Sequence, residues 1–278
     1  MANHLEGKVI VVTGAAGGFG RLVSQKTAAR GARIVACDIN AAQLDTTVSL
    51  IEAEGGEATA IVADVTNRAQ MMAMAEAAVA GFGSIDVIVN NAGVMPLAFF
   101  ADHEAAADAW DLCIDINLKG VLHGIMAVHD QMIEQGRGHV VNVSSIYGNG
   151  AVPGSAVYGA TKAAVRFLSE ALRQESQGQI KVTTIRPTGV PSTGLGEGII
   201  NPAALGGILG AGMPEFMEKM GQVFGEDPPA ELTDPNSIEY FALAPELLAD
   251  QIVFAIDQPW GVSISDITVR ASGDSYML

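Results

Sequence analysis

Short apolar runs rich in β-branched residues alternate with helix-forming segments along almost the whole chain. Because strands are short and helices longer, this alternation separates the two kinds of element. The pattern predicts strands over residues 8–12, 33–37, 58–63, 86–89, 139–143, 181–185 and 263–269. It predicts helices from the first glycine-rich turn to about 30, and then over 41–54, 69–82, 104–134 in two segments, 155–177 and 245–257.

The predicted strands are continuous apolar runs, which is typical of strands covered by helices on both faces. Strand–helix repetition of this kind implies right-handed crossovers between parallel strands. No internal repeat or low-complexity linker divides the chain. We therefore expect a single α/β domain over residues 1–278, built on a Rossmann-like, doubly wound parallel sheet.

The stretch from about 189 to 242 breaks this alternation. It is rich in Gly, Pro and Met, and it contains the pairs Gly206-Gly207 and Pro228-Pro229. Long irregular insertions in compact domains are usually mobile segments or covers over a binding site. We expect an irregular substrate lid, and the alternative is a plain surface excursion.

The charge and composition of the chain limit its partners and its compartment. The formal net charge is −16 at pH 7, and such a surface repels nucleic acids, anionic lipids and acidic proteins. No apolar run reaches the roughly 18 residues of a membrane span, and residues 1–6 do not resemble a signal peptide. Cys37 and Cys113 lie among apolar neighbours, which favours buried thiols. We expect no nucleic-acid or membrane partner and a cytoplasmic location.

A glycine-rich turn connects the first predicted strand to the first helix. Gly14, Gly17 and Gly20 allow a tight turn that brings backbone N–H groups close to a ligand, and the following helix adds its positive dipole. We predict that these glycines, with Phe19, bind the pyrophosphate of a dinucleotide. The alternative is a turn whose glycines only pack the helix on the strand.

Asp38 ends the second predicted strand, where a carboxylate can accept hydrogen bonds from both ribose hydroxyls of an adenosine. A 2′-phosphate at that place would meet a like charge. The positions where Arg or Lys would bind such a phosphate hold Gly17, Ile39 and Asn40. We therefore predict NAD as the cofactor, with Asp38 and Ile39 at its adenosine. The alternative role of Asp38 is an N-cap of the next helix.

Tyr158 and Lys162 lie four residues apart in a predicted helix, so their side chains project from one face. A nearby cation is expected to lower the pKa of the phenol from about 10, which suits a general acid or base. Ser145 follows the strand at 139–143, at the edge where parallel sheets bind ligands, and its hydroxyl can donate to a developing alkoxide. The alternatives are a surface Tyr–Lys pair and, for Ser144, a loop-capping hydroxyl.

Taken together, these motifs resemble those of the short-chain dehydrogenase/reductase family, from Gly7 to about Val269. The resemblance extends to Asp64-Val65, Asn90-Asn91-Ala92-Gly93 and Asn117. It implies an NAD(H)-dependent oxidoreductase that interconverts a secondary alcohol and a ketone by direct hydride transfer. That reaction requires no metal, and the histidines of the chain show no metal-ligand spacing.

The resemblance also implies roles for individual residues. Tyr158 would be the general acid/base, Lys162 would bind the nicotinamide ribose and tune the phenol, and Ser145 would polarise the carbonyl. Asn117 would hold a water that continues a proton relay through Lys162. Asp64 would contact adenine. The implied cofactor contacts are Gly14, Gly17, Phe19, Gly20, Asp38, Ile39, Asp64, Val65, Asn91, Ala92, Gly93, Tyr158, Lys162, Pro187, Gly189 and Val190.

Asn90 and Thr188 differ from the residues above. Asn90, together with Gly93, would shape the floor of the cofactor site, but bracing of the sheet is an equal alternative for Asn90. The chain departs from the family at Thr188, where many members have the glycine of a Pro-Gly pair. Ser192 or Thr193 is then the candidate for the later hydroxyl near the cofactor amide.

The substrate is predicted from the scarcity of basic residues in the lid. Between Arg186 and Arg270 the only basic residue is Lys219, and there is no histidine, whereas sites for phosphate or carboxylate normally contain Arg or Lys. We expect a neutral, apolar alcohol or ketone, such as a cyclic or terpenoid one. The predicted substrate contacts are Ser145, Tyr158, Met95, Tyr147 and Asn149. The predicted apolar wall is Leu195, Ile199, Ile200, Leu205, Met213, Phe216, Met217 and Met220, with Phe99 and Phe100; the alternative is that these residues form core or oligomer contacts.

Three other functions fit parts of the pattern. A 3-oxoacyl-thioester reductase of the same family would need a more basic lid. A non-catalytic dinucleotide sensor would typically lack the tyrosine or the lysine of the active pair, and here both are present. Sugar-nucleotide epimerases share that pair but differ in glycine spacing. The resemblance further implies a homotetramer, formed through the helices around 111–132 and 155–177.

Overall fold

The computed structural model describes residues 2–191 and 193–278, and its centre is a seven-stranded sheet. The strands are β1 (Val9–Thr13), β2 (Arg33–Asp38), β3 (Glu57–Val62), β4 (Val87–Asn90), β5 (Gly138–Val143), β6 (Ile180–Pro187) and β7 (Asp266–Val269). They lie in the order β3-β2-β1-β4-β5-β6-β7, and each pairs in parallel with its neighbours. The strand order reverses between β1 and β4, so the predicted doubly wound α/β fold is confirmed.

Helices cover both faces of this sheet. They are α1 (Gly18–Ala28), α2 (Ala41–Ala53), α3 (Arg68–Phe82), α4 (His103–Ile114), α5 (Val121–Glu134), α6 (Ala156–Glu175), α7 (Gly206–Leu209), α8 (Met213–Val223), α9 (Ala230–Thr233) and α10 (Pro245–Ile256). A π-helical segment, Asp115–Gly120, joins α4 to α5. None of the helices in the described ranges is long and apolar enough to cross a membrane.

Successive residues of the central strands belong to different cores. In β1, Ile10 and Val12 pack in a cluster that also contains residues of α1, α2 and α10. Val9 and Val11 pack on the opposite face, with residues of α3, α5 and α6. Burial of each such aliphatic side chain contributes about 1.5–3 kcal/mol. Because both faces of the central strands are buried, successive positions are apolar and the strands are unbroken apolar runs in the sequence.

The stretch from 189 to 242 is more regular than predicted. It contains 3-10 segments and the helices α7, α8 and α9, and Pro202 and Pro214 stand in the first turns of their helices, where proline is tolerated. Phe216 and Leu232 are buried in a third apolar cluster, together with Ile146. Between these short helices the stretch remains irregular, as predicted. The stretch packs on the body of the protein as a folded lid, so a plain surface excursion is wrong.

Candidate active site

A cleft of about 1000 Å³ opens at the carboxyl ends of the strands, between the sheet and the lid. Most of the residues predicted for the site line it. These are Gly14, Gly17, Phe19, Asp38, Ile39, Asp64, Val65, Asn91, Ala92, Gly93, Met95, Ser145, Tyr147, Tyr158, Lys162, Pro187, Gly189 and Val190. Gly20, Asn117 and Asn149 are not part of the lining described.

The glycine-rich turn leaves its backbone open to the cleft. Gly14 has φ +67°, and a β-carbon there would lie 2.8 Å from the Asn91 Nδ2 atom. A β-carbon on Gly17 would meet nothing within 4 Å, so a phosphate group can approach the start of α1 closely. Gly20 differs, because it packs against the Gly14 carbonyl and is buried. Gly20 does not line the cleft, and its observed role is the close packing of α1, so its contact with the cofactor stays a prediction.

The carboxylate of Asp38 is held in place by two backbone N–H groups. Ala16 N donates to one oxygen at 3.1 Å and Asn40 N to the other at 2.9 Å. Each oxygen retains a lone pair for a ligand. The N-cap of α2 is Asn40, which accepts from Gln43 N at 3.2 Å. The alternative role of Asp38 as that N-cap is therefore wrong.

Asn90 braces the sheet instead of facing the cofactor. Its Nδ2 atom donates to Asn142 Oδ1 at 2.8 Å, and Asn142 Nδ2 donates to Ser169 Oγ at 2.8 Å, which ties β4 and β5 to α6. Asn91 is the residue that faces the cleft, and its amide donates to Thr13 O at 3.0 Å. Of the two interpretations of Asn90, bracing is the one that the geometry supports.

The segment after β5 packs directly on α6 and thereby brings Ser145 beside Tyr158. A β-carbon on Gly148 would lie 2.7 Å from the carbonyl carbon of Lys162, so this approach requires glycine. Ser144 Oγ donates to Lys162 O at 2.7 Å, which is the anchoring role proposed for it as an alternative. Ser145 Oγ accepts from Tyr147 N at 3.2 Å and lines the cleft.

Tyr158 and Lys162 are both buried at the inner wall of the cleft. The Lys162 Nζ atom donates to Val143 O at 2.9 Å and lies 5.8 Å from the centre of the Tyr158 ring. Burial raises the pKa of Tyr158, and a hydrogen bond with Ser145 opposes this rise. Burial also lowers the pKa of Lys162 to about 8. The expectation of a lowered phenol pKa is therefore wrong, because desolvation raises the pKa more than the hydrogen bond with Ser145 lowers it.

Asn117 lies within the π-helical segment and is completely buried. Its Oδ1 atom accepts from Val94 N at 2.9 Å, and its Nδ2 atom donates to Val94 O at 2.9 Å. Asn117 and Lys162 both lie near Gly93: a β-carbon on Gly93 would lie 3.2 Å from Asn117 Oδ1 and 3.5 Å from Lys162 Nζ. Asn117 thus fixes the backbone that follows the Asn-Ala-Gly turn. Its role in holding a water stays a prediction.

The apolar wall of the cleft contains some of the predicted residues and omits others. Leu195, Leu205, Phe216 and Met220 line it, together with Met95. Met217, by contrast, is exposed on the outer side of α8.

Two further predictions for the substrate region are wrong. Asn149 is exposed outside the cleft, where its Oδ1 atom accepts from Arg166 at 3.3 Å and from Arg186 at 2.8 Å. Phe100 is 71% exposed and stacks edge-on against Trp110. Both residues lie near the site in sequence, but their side chains turn towards solvent.

Several residues of the cleft were not identified from the sequence. Tyr276 reaches it from the segment after β7 and stacks on Phe216, with ring centroids 5.7 Å apart. Glu197 and Phe241 of the lid also line it. The sequence carried no signal for Tyr276, because only the path of the chain after β7 returns it to the cleft.

The segment after β6 supplies hydroxyl groups to the cleft. Thr188, at the departure from the family pattern, lines the cleft, as does Thr193, whose Oγ1 atom donates to Val190 O at 3.2 Å. Ser192, the other predicted hydroxyl, lies outside the described residues. Within the described ranges, no group of three or more His, Cys, Asp or Glu residues is arranged to hold a metal ion.

Comparison with known proteins agrees with this geometry. The family model described as short chain dehydrogenase matches residues 8–201. The chain belongs to the short-chain dehydrogenase family. An oxidoreductase of Listeria innocua, itself uncharacterized, is 35% identical over 265 residues, which cover 95% of this chain and 96% of the relative.

Solved dehydrogenase structures share the fold over most of their length. A short-chain dehydrogenase/reductase from Burkholderia phymatum, solved with NAD, is 28% identical with a TM-score of 0.75 and covers 96% of this chain and 90% of its own. A serine dehydrogenase solved with NADP⁺ is 29% identical with a TM-score of 0.75, and 94% of each chain is covered. The family membership makes this chain an oxidoreductase, and the two neighbours bind different dinucleotides.

Proposed function

We propose that this short-chain dehydrogenase interconverts a secondary alcohol and a ketone with NAD(H). The observation that carries the proposal is the position of Tyr158. It lies beside Ser145 and Lys162 on the wall of the cleft, and the glycine-rich turn lines the same cleft. The bound nicotinamide would accept or supply the hydride. The protein would bind the substrate oxygen and move its proton.

In ketone reduction, Ser145 would donate a hydrogen bond to the carbonyl oxygen as negative charge develops there. Tyr158 would donate its phenolic proton to the same oxygen. The raised pKa of the buried phenol suits this direction, because Tyr158 is then protonated at neutral pH. Oxidation of the alcohol would return the proton to the phenolate, which the Lys162 ammonium would stabilise.

The choice of NAD over NADP rests on the adenosine end of the cleft. Asp38 presents its carboxylate there, and Asp64 lies close by on the lining. Lys162 is the only basic residue among the described residues of the lining. On the described lining, a 2′-phosphate would therefore meet negative charge and no cation other than Lys162. The Burkholderia phymatum structure contains NAD, which is consistent with this choice.

We further propose a neutral and largely apolar substrate. Phe216, Met220 and Phe241 form much of the wall, and Glu197 would repel an anion. A 3-oxoacyl thioester carries phosphate groups that need basic partners. Because Lys162 is the only basic residue on the described lining, the cleft favours a neutral ketone over a thioester.

The proposal is tested by the absorbance of reduced nicotinamide, with NAD or NADP and a panel of neutral secondary alcohols. Turnover with NAD that falls by about 10²–10⁴-fold in Tyr158→Phe would support the mechanism. If a coenzyme A thioester were turned over faster than the neutral substrates, the substrate would be a thioester and not a neutral ketone. A preference for NADP would overturn the role of Asp38. Binding of NADH without any turnover would favour a dinucleotide sensor.

We also propose a homotetramer in the cytoplasm. Apolar side chains are exposed on the helices predicted to pair between subunits: Leu122 and Met126 on α5, and Phe167, which is 79% exposed, on α6. Light scattering after size-exclusion chromatography tests the assembly, with Phe167→Glu expected to yield smaller species. A monomeric wild-type protein would contradict the proposed assembly.

A further inference from the structure

The hydroxyl of Tyr147 is a buried polar group beside the reacting residues. Tyr147 lines the cleft, is only 7% exposed, and meets the Tyr158 ring edge-on with centroids 5.4 Å apart. Its hydroxyl is shielded from solvent and has no hydrogen-bond partner within residues 2–191 and 193–278. Buried polar groups are normally paired, so an unpaired one beside a binding cleft requires an explanation.

Packing does not explain why this residue is tyrosine. Phenylalanine would fill nearly the same volume and would keep the edge-to-face contact with Tyr158. Tyr240 shows the usual arrangement in this protein, because it is buried to a similar degree and its hydroxyl accepts from Ala244 N at 2.7 Å. The oxygen of Tyr147 has no such structural use, which leaves a ligand in the cleft as its partner.

The surroundings of Tyr147 define the chemistry of that partner. Burial raises the pKa of Tyr147, and the phenols of Tyr276 and Tyr158 add to the rise. The hydroxyl therefore stays protonated near neutral pH and offers both a donor and an acceptor. No cation other than Lys162 lines the described part of the cleft, and that amine is bound to Val143 O. An uncharged hydroxyl or carbonyl suits this environment, whereas a carboxylate or phosphate does not.

We propose that the substrate carries a second, uncharged oxygen that hydrogen-bonds to the Tyr147 hydroxyl while its reacting oxygen binds Ser145 and Tyr158. This inference rests on the proposed function and narrows its substrate class to neutral diols, hydroxy ketones and diketones. Tyr147 and Tyr158 are neighbours on the lining of the cleft, and their ring centroids are 5.4 Å apart, a separation that a small diol can span. The apolar remainder of the substrate would face Phe216 and Met220.

The first experiment measures NAD-dependent oxidation of cyclohexanol and of 1,2-, 1,3- and 1,4-cyclohexanediol. In the wild type, kcat/KM for at least one diol should exceed that for cyclohexanol by about 10-fold, the usual effect of one well-placed hydrogen bond. In Tyr147→Phe this ratio should fall to about 1. The matched variant Tyr240→Phe should keep the ratio, because Tyr240 does not line the cleft.

The outcomes separate this inference from the proposed function. Equal use of cyclohexanol and all three diols by the wild type, or a diol preference that survives in Tyr147→Phe, overturns the second-oxygen proposal. If cyclohexanol turnover is nevertheless lost in Tyr158→Phe, the proposed function stands. Absence of turnover with every alcohol, in the presence of bound NADH, counts against the proposed function and against the inference that rests on it.

A second measurement needs no turnover. In the protein without alcohol or dinucleotide, Tyr147→Phe should unfold at the same temperature as the wild type or higher, because its hydroxyl has no protein partner to lose. Tyr240→Phe should unfold at a lower temperature, since it leaves Ala244 N–H unpaired. An equal drop in both variants would mean that a protein group binds the Tyr147 hydroxyl, and the proposal would then be wrong.

Discussion

The hydroxyl of Tyr276 lies against Gly189, at the place that a β-carbon on this glycine would occupy. Gly189 belongs to the segment after β6 that lines the cleft, and Tyr276 comes from the segment after β7. This contact accounts for the glycine one position beyond Thr188, where the chain departs from the usual family pattern. Glycine is needed there because the tyrosine packs on its backbone.

Gly189→Ala should therefore displace Tyr276 or the segment after β6. We expect kcat/KM to fall by about 10- to 100-fold, as small misplacements in an active site commonly cause. In a Tyr276→Ala background the same substitution should cost much less, because the clash is gone. Kinetics of the two single variants and the double variant test this. Additive losses would show that the contact does not couple the two residues.

Asp38→Ala should weaken the use of NAD more than the use of NADP. The carboxylate positioned by Ala16 N and Asn40 N would no longer bind the ribose hydroxyls or repel a 2′-phosphate. We expect the ratio of kcat/KM for NAD to that for NADP to fall by about 10-fold or more. Asp45→Ala, an exposed carboxylate on α2, serves as the control. An unchanged ratio in Asp38→Ala would contradict the assignment.

Gly124→Ala should destabilise the protein because a β-carbon on this residue of α5 would overlap the amide of Asn90. Overpacking of this kind costs about 1–3 kcal/mol. Gly81→Ala is the matched control in α3, since its β-carbon would meet nothing within 4 Å. There we expect a gain of about 0.5–1 kcal/mol from helix propensity. Denaturant unfolding of both variants measures the two changes, and equal effects would contradict the close packing of Gly124 on Asn90.

The stability of the protein should depend on the ionisation of Lys162. Burial lowers its pKa from 10.5 to about 8, so the folded protein releases this proton at a lower pH than the unfolded chain. The contribution of Lys162 to the free energy of unfolding is therefore largest above pH 10.5, where the amine is neutral in both states. This contribution is lost as the pH falls through about 8, where the folded protein has to bind a proton at a buried site. From pH 8 to 9.5 the free energy of unfolding of the wild type should rise by about 1.5 kcal/mol more than that of Lys162→Met.

Parallel denaturant titrations at several pH values measure this difference. The comparison with Lys162→Met removes the contribution of other groups that titrate in the same range. Identical pH dependence of the two proteins would show that Lys162 is not desolvated in the folded state.

Much of the site could be predicted because its residues stand at fixed places in local elements. Gly14, Gly17 and Asp38 follow the ends of β1 and β2, and parallel strands bring such ends to one edge. Tyr158 and Lys162 share a helix face by spacing alone. Asn149 shows the limit of this reasoning, because its nearness to Ser145 in sequence did not reveal that two arginines hold it outside the cleft.

The sequence by itself determined the order of strands and helices, the parallel sheet and the set of residues at the dinucleotide turn and the Tyr–Lys pair, because these follow from local periodicity and spacing. The tertiary structure alone decided the ionisation of Tyr158 and Lys162, since desolvation depends on everything packed around a group. It also decided that Asn90 braces the sheet and that Gly20 packs against the Gly14 carbonyl. Finally, it placed both Tyr147 and Tyr276 on the lining of the cleft, because they come from distant segments whose approach no local pattern encodes.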